Sequence, residues 1–171
     1  MITLAMTTVV AAPRSAVWSA LTSPEQIARW RPGVEATLES GAEEIHPGRR
    51  LRFRCRLHDV PVTLEERAIE IVPGSRLRSD VRFGLFRCEE TLTLTRTGPS
   101  GEHTRVSLRI TTPSETPLLG ASLDRFAVRR FGTELAGTCL HALRDWCELG
   151  HPPAPSLRPT DAAQALLRDP A

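Results

Sequence analysis

Glu90 is the residue whose surroundings in the sequence most invite chemistry. It stands in Phe86-Arg87-Cys88-Glu89-Glu90-Thr91-Leu92-Thr93-Leu94, where it shares the parity of Cys88, Leu92 and Leu94. An unpaired carboxylate on the inward face of a strand is costly, so it must be paired, protonated or open to a wet cavity. In either of the last two states it is a candidate general acid or base. Arg130 and Glu134 stand one turn apart on a predicted helix and are its expected polar company. Arg130 could polarise a carbonyl beside Glu90, or the two could simply form a structural ion pair.

The other reactive side chains form no constellation. His46, His58, His103 and His151 fall in predicted turns or tails without ligand spacing, and His141 reads as solvent-facing, so no metal is expected. Cys55, Cys88, Cys139 and Cys147 make no Cys-x-x-Cys pair. Cys139 and Cys147 share one predicted helix, about 12 Å apart at about 1.5 Å per residue, too far for a disulfide. Reduced, buried thiols are expected. All 22 basic residues are arginine, and the chain has no lysine, asparagine or tyrosine. A GC-rich, bacterial coding sequence accounts for that pattern. Schiff-base lysine, tyrosine acid–base chemistry and asparagine-linked glycosylation are thereby excluded. No nucleophile elbow, phosphate loop or dinucleotide fingerprint occurs, and no cofactor is expected. A net charge of +2 without a long basic run argues against nucleic acid as a partner. No segment has the length of a membrane span, and the N-terminus lacks a charged region ahead of an apolar core. The expectation is no integral membrane association and a cytoplasmic location.

The elements that must position these groups are legible as patterns. Ile2–Ala11, rich in threonine and valine, predicts a first strand. Two short helices follow, over Pro13–Leu21 and from Ser23-Pro24-Glu25-Gln26, the second capped by Ser23 and stopped by Arg31-Pro32-Gly33. Six further strands are predicted over Val34–Ser40, Arg49–Leu57, Val60–Val72, Leu77–Phe83, Phe86–Leu94 and Thr104–Thr112. Arg49–Leu57 alternates strictly, with Leu51, Phe53, Cys55 and Leu57 inward and Arg50, Arg52, Arg54 and Arg56 outward. Val60–Val72 changes phase, which a bulge near Glu66–Ala68 would reconcile. Gly84-Leu85 marks a tight hairpin. The inward sets are Leu77, Ser79, Val81 and Phe83, then Cys88, Glu90, Leu92 and Leu94, then Val106, Leu108 and Ile110. A helix from about Leu118 to Leu149 carries Val128, Phe131, Leu135, Cys139 (or Thr138), Ala142, Trp146 and Leu149 at spacings of three and four. Past Gly150 the chain turns proline-rich, giving a domain over 1–149 and a tail over 150–171.

Strand, two helices, six strands and one long helix predict an α+β fold, a seven-stranded curved antiparallel sheet around a long C-terminal helix. The segment Val9-Val10-Ala11-Ala12-Pro13-Arg14-Ser15-Ala16-Val17-Trp18-Ser19-Ala20-Leu21-Thr22-Ser23-Pro24-Glu25, followed by Trp30-Arg31-Pro32-Gly33, resembles the N-terminus of START-like helix-grip proteins. These form the polyketide cyclase/dehydrase and lipid-transport superfamily, which includes the birch-pollen-allergen-like proteins. The order of elements agrees over residues 2–149, and the resemblance implies a cavity between sheet and helix. The hairpin ends should gather on one side, where Val60, Pro61, Phe83, Leu85, Phe86, Leu118 and Leu119 would rim an opening or pack against one another. The side chains expected at a ligand are Phe53, Cys55, Ser79, Val81, Phe83, Phe86, Cys88, Leu92, Leu108, Ile110, Leu119, Phe131 and Glu134.

Three functions follow. The first is a carrier or binder of a hydrophobic small molecule such as a lipid, polyketide or aromatic metabolite. The second is a cofactor-independent cyclase or dehydratase acting on such a molecule, with Glu90 and Arg130 as its catalytic pair; the chain has no tyrosine, and no cyclase catalytic residues align onto it. The third is a co-chaperone or regulator of the same superfamily, acting through a protein surface. The outer arginine ladder is either solvated sheet paired with Glu65 and Glu70 or a docking surface for an acidic carrier protein.

Overall fold

The computed structural model describes residues 2–39, 45–57, 60–84, 86–112 and 125–150. Alternation sets the sheet. Strand β1 (Ile2–Val10) is followed by helices α1 (Arg14–Thr22) and α2 (Pro24–Trp30), and then by β2 (Val34–Glu39) and β3 (Arg50–Leu57). Next come β4 (Val60–Val72), β5 (Arg76–Phe83), β6 (Phe86–Thr97) and β7 (His103–Thr112), and the last element among the described residues is helix α3 (Arg125–Glu148). The seven strands form one sheet in the order β1-β7-β6-β5-β4-β3-β2, antiparallel throughout. This is the helix-grip α+β fold.

Local chemistry fixes each end. Pro13 precedes α1 with an extended backbone, and Ser23 Oγ accepts from Gln26 N at 3.4 Å to cap α2, with Pro24 in its first turn. In β3, Leu51, Phe53 and Cys55 are buried while Arg52, Arg54 and Arg56 are exposed. The phase change in β4 is a register shift between Ala68 and Glu70. It turns Ile69 out to 38% exposure and leaves Ile71 opposite the buried Leu77. The hairpin between β5 and β6 pairs Phe83 with Phe86, and Gly84 supplies the positive φ its turn needs.

Helix α3 lies on the concave face and runs along β1. Two glycines permit the approach: a methyl group at Gly132 would come within 2.7 Å of Leu4 Cδ1, and one at Gly137 within 3.4 Å of Met6 Cε. Farther along, Ala136, Leu140, Ala142, Leu143 and Trp146 are buried against Val10, Val17, Leu92, Leu94 and Val106. A second cluster, beneath α2, joins Ile27 to Leu51, Phe53, Cys55, Leu64 and Val81. Leu149 departs from the sequence reading: α3 ends at Glu148, ahead of Gly150 with φ 76°, and Leu149 is 69% exposed. The expected first turns of that helix from Leu118, and the tail over 151–171, lie outside the described residues.

Phe53 is fully buried at the centre of the second cluster. Phe53→Ala should therefore cost about 3–5 kcal/mol, read as a lower denaturation midpoint with the slope unchanged. A loss under about 1 kcal/mol would show that this cluster does not hold the sheet.

Candidate functional site

Between the two clusters, sheet and α3 stand apart and enclose a cavity of about 160 Å³. Its walls are mostly aliphatic, with Leu21, Ile27, Leu64, Leu77, Leu92, Leu108, Leu140 and Leu143 among them. Among the described residues three charged side chains break this surface: Arg31, Glu66 and Glu90.

Arg31 is placed by the way α2 stops. Trp30 is buried and its indole Nε1 donates to Ala20 O at 2.8 Å. The Arg31 N–H still donates to Ile27 O at 3.0 Å, but its own backbone is extended. Pro32 cannot continue the helix and Gly33, at φ 76°, turns the chain into β2. The fixed corner sends the guanidinium over the sheet, where Nη1 lies 3.1 Å from Glu66 Oε2 and Nη2 3.7 Å from Glu90 Oε2. Ser79 Oγ, on the strand between them, donates to Glu66 Oε1 at 2.9 Å. Ser79 and Glu90 are direct cross-strand neighbours. Behind Glu66 lies Arg49, 4% exposed, with Nη1 donating to Thr22 O at 3.0 Å. Arg49 feels the charge of Glu66 and shares a second, small void with it. Four charges thus run in a row, Arg49, Glu66, Arg31 and Glu90.

Burial governs their protonation. It raises the Glu90 carboxyl above the ordinary glutamate range; Arg31 pulls it back and the charge of Glu66 adds to the rise. Burial would by itself lower Arg31, but Glu90 and Glu66 more than compensate and hold it firmly protonated. Three thiols share the cavity. Burial pushes Cys55 and Cys139 up to about 11 and Cys88 up to about 12, with Arg31 opposing each rise. All three are neutral thiols near neutral pH, not nucleophiles. The four cysteines are free; Cys55 is buried, while Cys88, Cys139 and Cys147 are half-buried.

The sequence reading and the geometry meet at Glu90 and part at its partner. Glu90, Cys55, Val81, Phe83, Cys88, Leu92, Leu108 and Ile110 all line the cavity. Arg130 stands 67% exposed and pairs with Glu134 at 3.2 Å along the outside of α3. The cation facing Glu90 is therefore Arg31, because helix phase points Arg130 away from the sheet. Neither Arg130 nor Glu134 lines the cavity. Phe53 lies behind its wall, and Ser79 is spent on Glu66. Leu119 lies outside the described residues, as do the side chains of Phe86 and Phe131. At the expected rim, Val60 and Pro61 are exposed and Phe83 lines the cavity, while Leu85 and Leu118 lie outside the described residues. His141 is exposed, with Nδ1 2.8 Å from Gly137 O. Among the described residues no cluster of histidine, cysteine or carboxylates could hold a metal, and no helix is long and apolar enough to cross a membrane.

Residues 1–148 match the family described as polyketide cyclase / dehydrase and lipid transport. The chain belongs to that family. Among solved structures it is similar to TTHA0849 from Thermus thermophilus, with 23% identity and a TM-score of 0.67 over 84% of this chain and 95% of that one. It is also similar to CV1439 from Chromobacterium violaceum, with 20% identity and a TM-score of 0.64 over 85% and 97%. A third is DynU16, from the dynemicin biosynthetic locus, with 22% identity and a TM-score of 0.55 over 88% of this chain and 48% of that one. At these identities the likeness is one of fold. No curated protein matches the chain.

Because the folded pKa of Glu90 is raised, the native state holds its proton more tightly than the unfolded chain. Stability from this group is full below the unfolded value of about 4.3 and is lost as pH rises through the folded one. Glu90→Gln removes that dependence. The melting temperature of the wild type should fall relative to the variant as pH climbs above about 4.3, read by thermal scans at matched ionic strength. Parallel curves would mean that Glu90 carries no raised pKa.

Proposed function

We propose that the chain binds a small apolar molecule in the sheet–helix cavity, with the molecule's polar end against Arg31 and Glu90. The observation that carries this reading is a largely aliphatic cavity interrupted at one place by a buried charge cluster. Apolar walls supply affinity in proportion to the area removed from water, and a few convergent polar groups set orientation. A volume of about 160 Å³ is close to the ~150 Å³ of an apolar cavity that admits benzene. That supports an aromatic or short polyketide skeleton over a long lipid chain. The family description agrees with a hydrophobic ligand.

One observation favours a catalytic reading beside this one. Burial favours the acid form of Glu90, and Arg31 is a fixed cation next to it. A carboxylic acid could protonate a carbonyl or a departing hydroxyl while the guanidinium stabilises the developing oxyanion. Water loss balances on this pair: the Glu90 acid gives its proton to the departing hydroxyl, which leaves as water, and the carboxylate so formed takes the α-proton while Arg31 stabilises the enolate oxygen. Glu90 and Arg31 then take the catalytic roles, replacing the pairing of Glu90 with Arg130.

Native mass spectrometry of the undenatured protein incubated with naphthalene should show one bound molecule. Leu108→Trp, which fills the cavity from β7, should abolish that adduct while the fold persists by circular dichroism. An adduct that survives in Leu108→Trp places the binding elsewhere and removes the reading. If the protein is an enzyme, a polyketide substrate should leave the wild type changed in mass, by 18 Da for dehydration, and stay unchanged on Glu90→Gln.

A further inference from the structure

The buried charges at the cavity floor set a condition on what can enter. Two positive charges, Arg31 in the cavity wall and Arg49 behind Glu66 in the adjoining void, stand against two negative ones in the wall, Glu66 and Glu90 in its ionised form. With Glu90 ionised the row balances itself, so a charged group brought in by a ligand finds no free counterion among the described residues, and the aliphatic walls give it no hydration. We infer, on the footing of the reading above, that the cavity takes ligands only as net-neutral additions: ketones, phenols and similar compounds as they are, and apolar carboxylic acids only with one proton from solvent, held between Glu90 and the ligand carboxyl.

The geometry leaves Glu90 as the group to receive that proton. Among the described residues, the charged or titratable groups around it are Arg31 at the end of α2, Glu66 on β4, Cys88 on its own strand and Cys139 on α3. Its cross-strand neighbours, Ser79 on β5 and Ile110 on β7, do not titrate. Arg31 is always charged, and the thiols stay protonated up to about 11 and 12. Glu66 is tied at both oxygens, to Arg31 at 3.1 Å and to Ser79 at 2.9 Å. Glu90 has the longer, looser contact with Arg31, 3.7 Å, and faces the cavity. Burial already favours its protonated form. When an acid binds, solvent gives up one proton, the Glu90 carboxyl and the ligand carboxylate share it, and the net charge of the cavity does not change.

Calorimetry at about pH 8, where an aromatic carboxylate is ionised, tests this with naphthalene and 2-naphthoate in two buffers of different ionisation enthalpy. The expected result is uptake of close to one proton per naphthoate bound and none for naphthalene. Glu90→Gln removes one negative charge, so naphthoate should bind the variant without proton uptake and at least roughly tenfold more tightly than the wild type. Glu66→Gln removes the same charge from the other arm and serves if Glu90→Gln does not fold. Three results overturn the inference while leaving the binding reading in place: naphthoate bound to the wild type without proton uptake, naphthoate refused while naphthalene binds, or proton uptake that persists in the variant. If neither compound binds the wild type, the binding reading itself falls and this inference falls with it.

Discussion

A guanidinium inside an apolar shell has to be matched on every side that water no longer reaches. Arg31 meets that demand with two carboxylates on strands that are not adjacent, β4 and β6, while β5 between them contributes Ser79 to steady one of the pair. Removing Arg31 would leave Glu66 and Glu90 as buried carboxylates without their cation, which is far costlier than the net worth of the contacts. Several features that look independent are consequences. Helix α2 must stop at Trp30, because one more turn would carry residue 31 away from the sheet. Glu66 must precede the bulge in β4, because a shift of one position would turn it outward. The wall facing the row has to stay aliphatic, since another unpaired polar group there would unbalance it.

The fold was legible because its signals are repetitive. Period-two alternation in β3, β5, β6 and β7 fixed which side chains face inward, and proline and glycine at Pro13, Pro24 and Gly33 marked where the chain had to turn. The site was legible only where one strand carried the information. Glu90 could be found because its parity is apolar on both sides. Arg130 was a natural partner on sequence spacing alone, but its direction depends on helix phase, and the structure gives that place to Arg31. The motif Trp30-Arg31-Pro32-Gly33 reads as a helix stop, which it is, and nothing local says that its charged side chain points into the core. Glu66 did leave a trace: it continues the parity of Val62 and Leu64, and placing the bulge two residues later would have put it inward. Pairing across β4, β5, β6 and α2 is long-range, and no window along the sequence contains it.

The convex face obeys the opposite rule. Arg52 pairs with Glu65 at 3.1 Å, Arg56 with Glu35, Arg78 with Glu89 at 2.7 Å, and Arg87 with Asp80 at 3.0 Å through two nitrogens. Apart from Asp80, whose side chain is 12% exposed, these groups meet in high dielectric, and the exposed pairs each contribute little to stability. Their effect is to order a surface of one cation type by cross-strand neighbours. The same residue chemistry is therefore decisive in the cavity and nearly neutral outside, and burial alone makes the difference.

The missing tyrosine has a photophysical consequence. Emission from the folded chain comes from Trp18, Trp30 and Trp146 alone, with no phenol to transfer energy to them. Trp30 and Trp146 are buried, and Trp30 lines the cavity. Trp18 packs beside them from α1. All three indoles lie in the helices that close over the sheet, and a molecule entering beneath them changes the surroundings of the nearest one directly. The protein carries its own optical probe of occupancy, at the position where a label would otherwise have to be introduced.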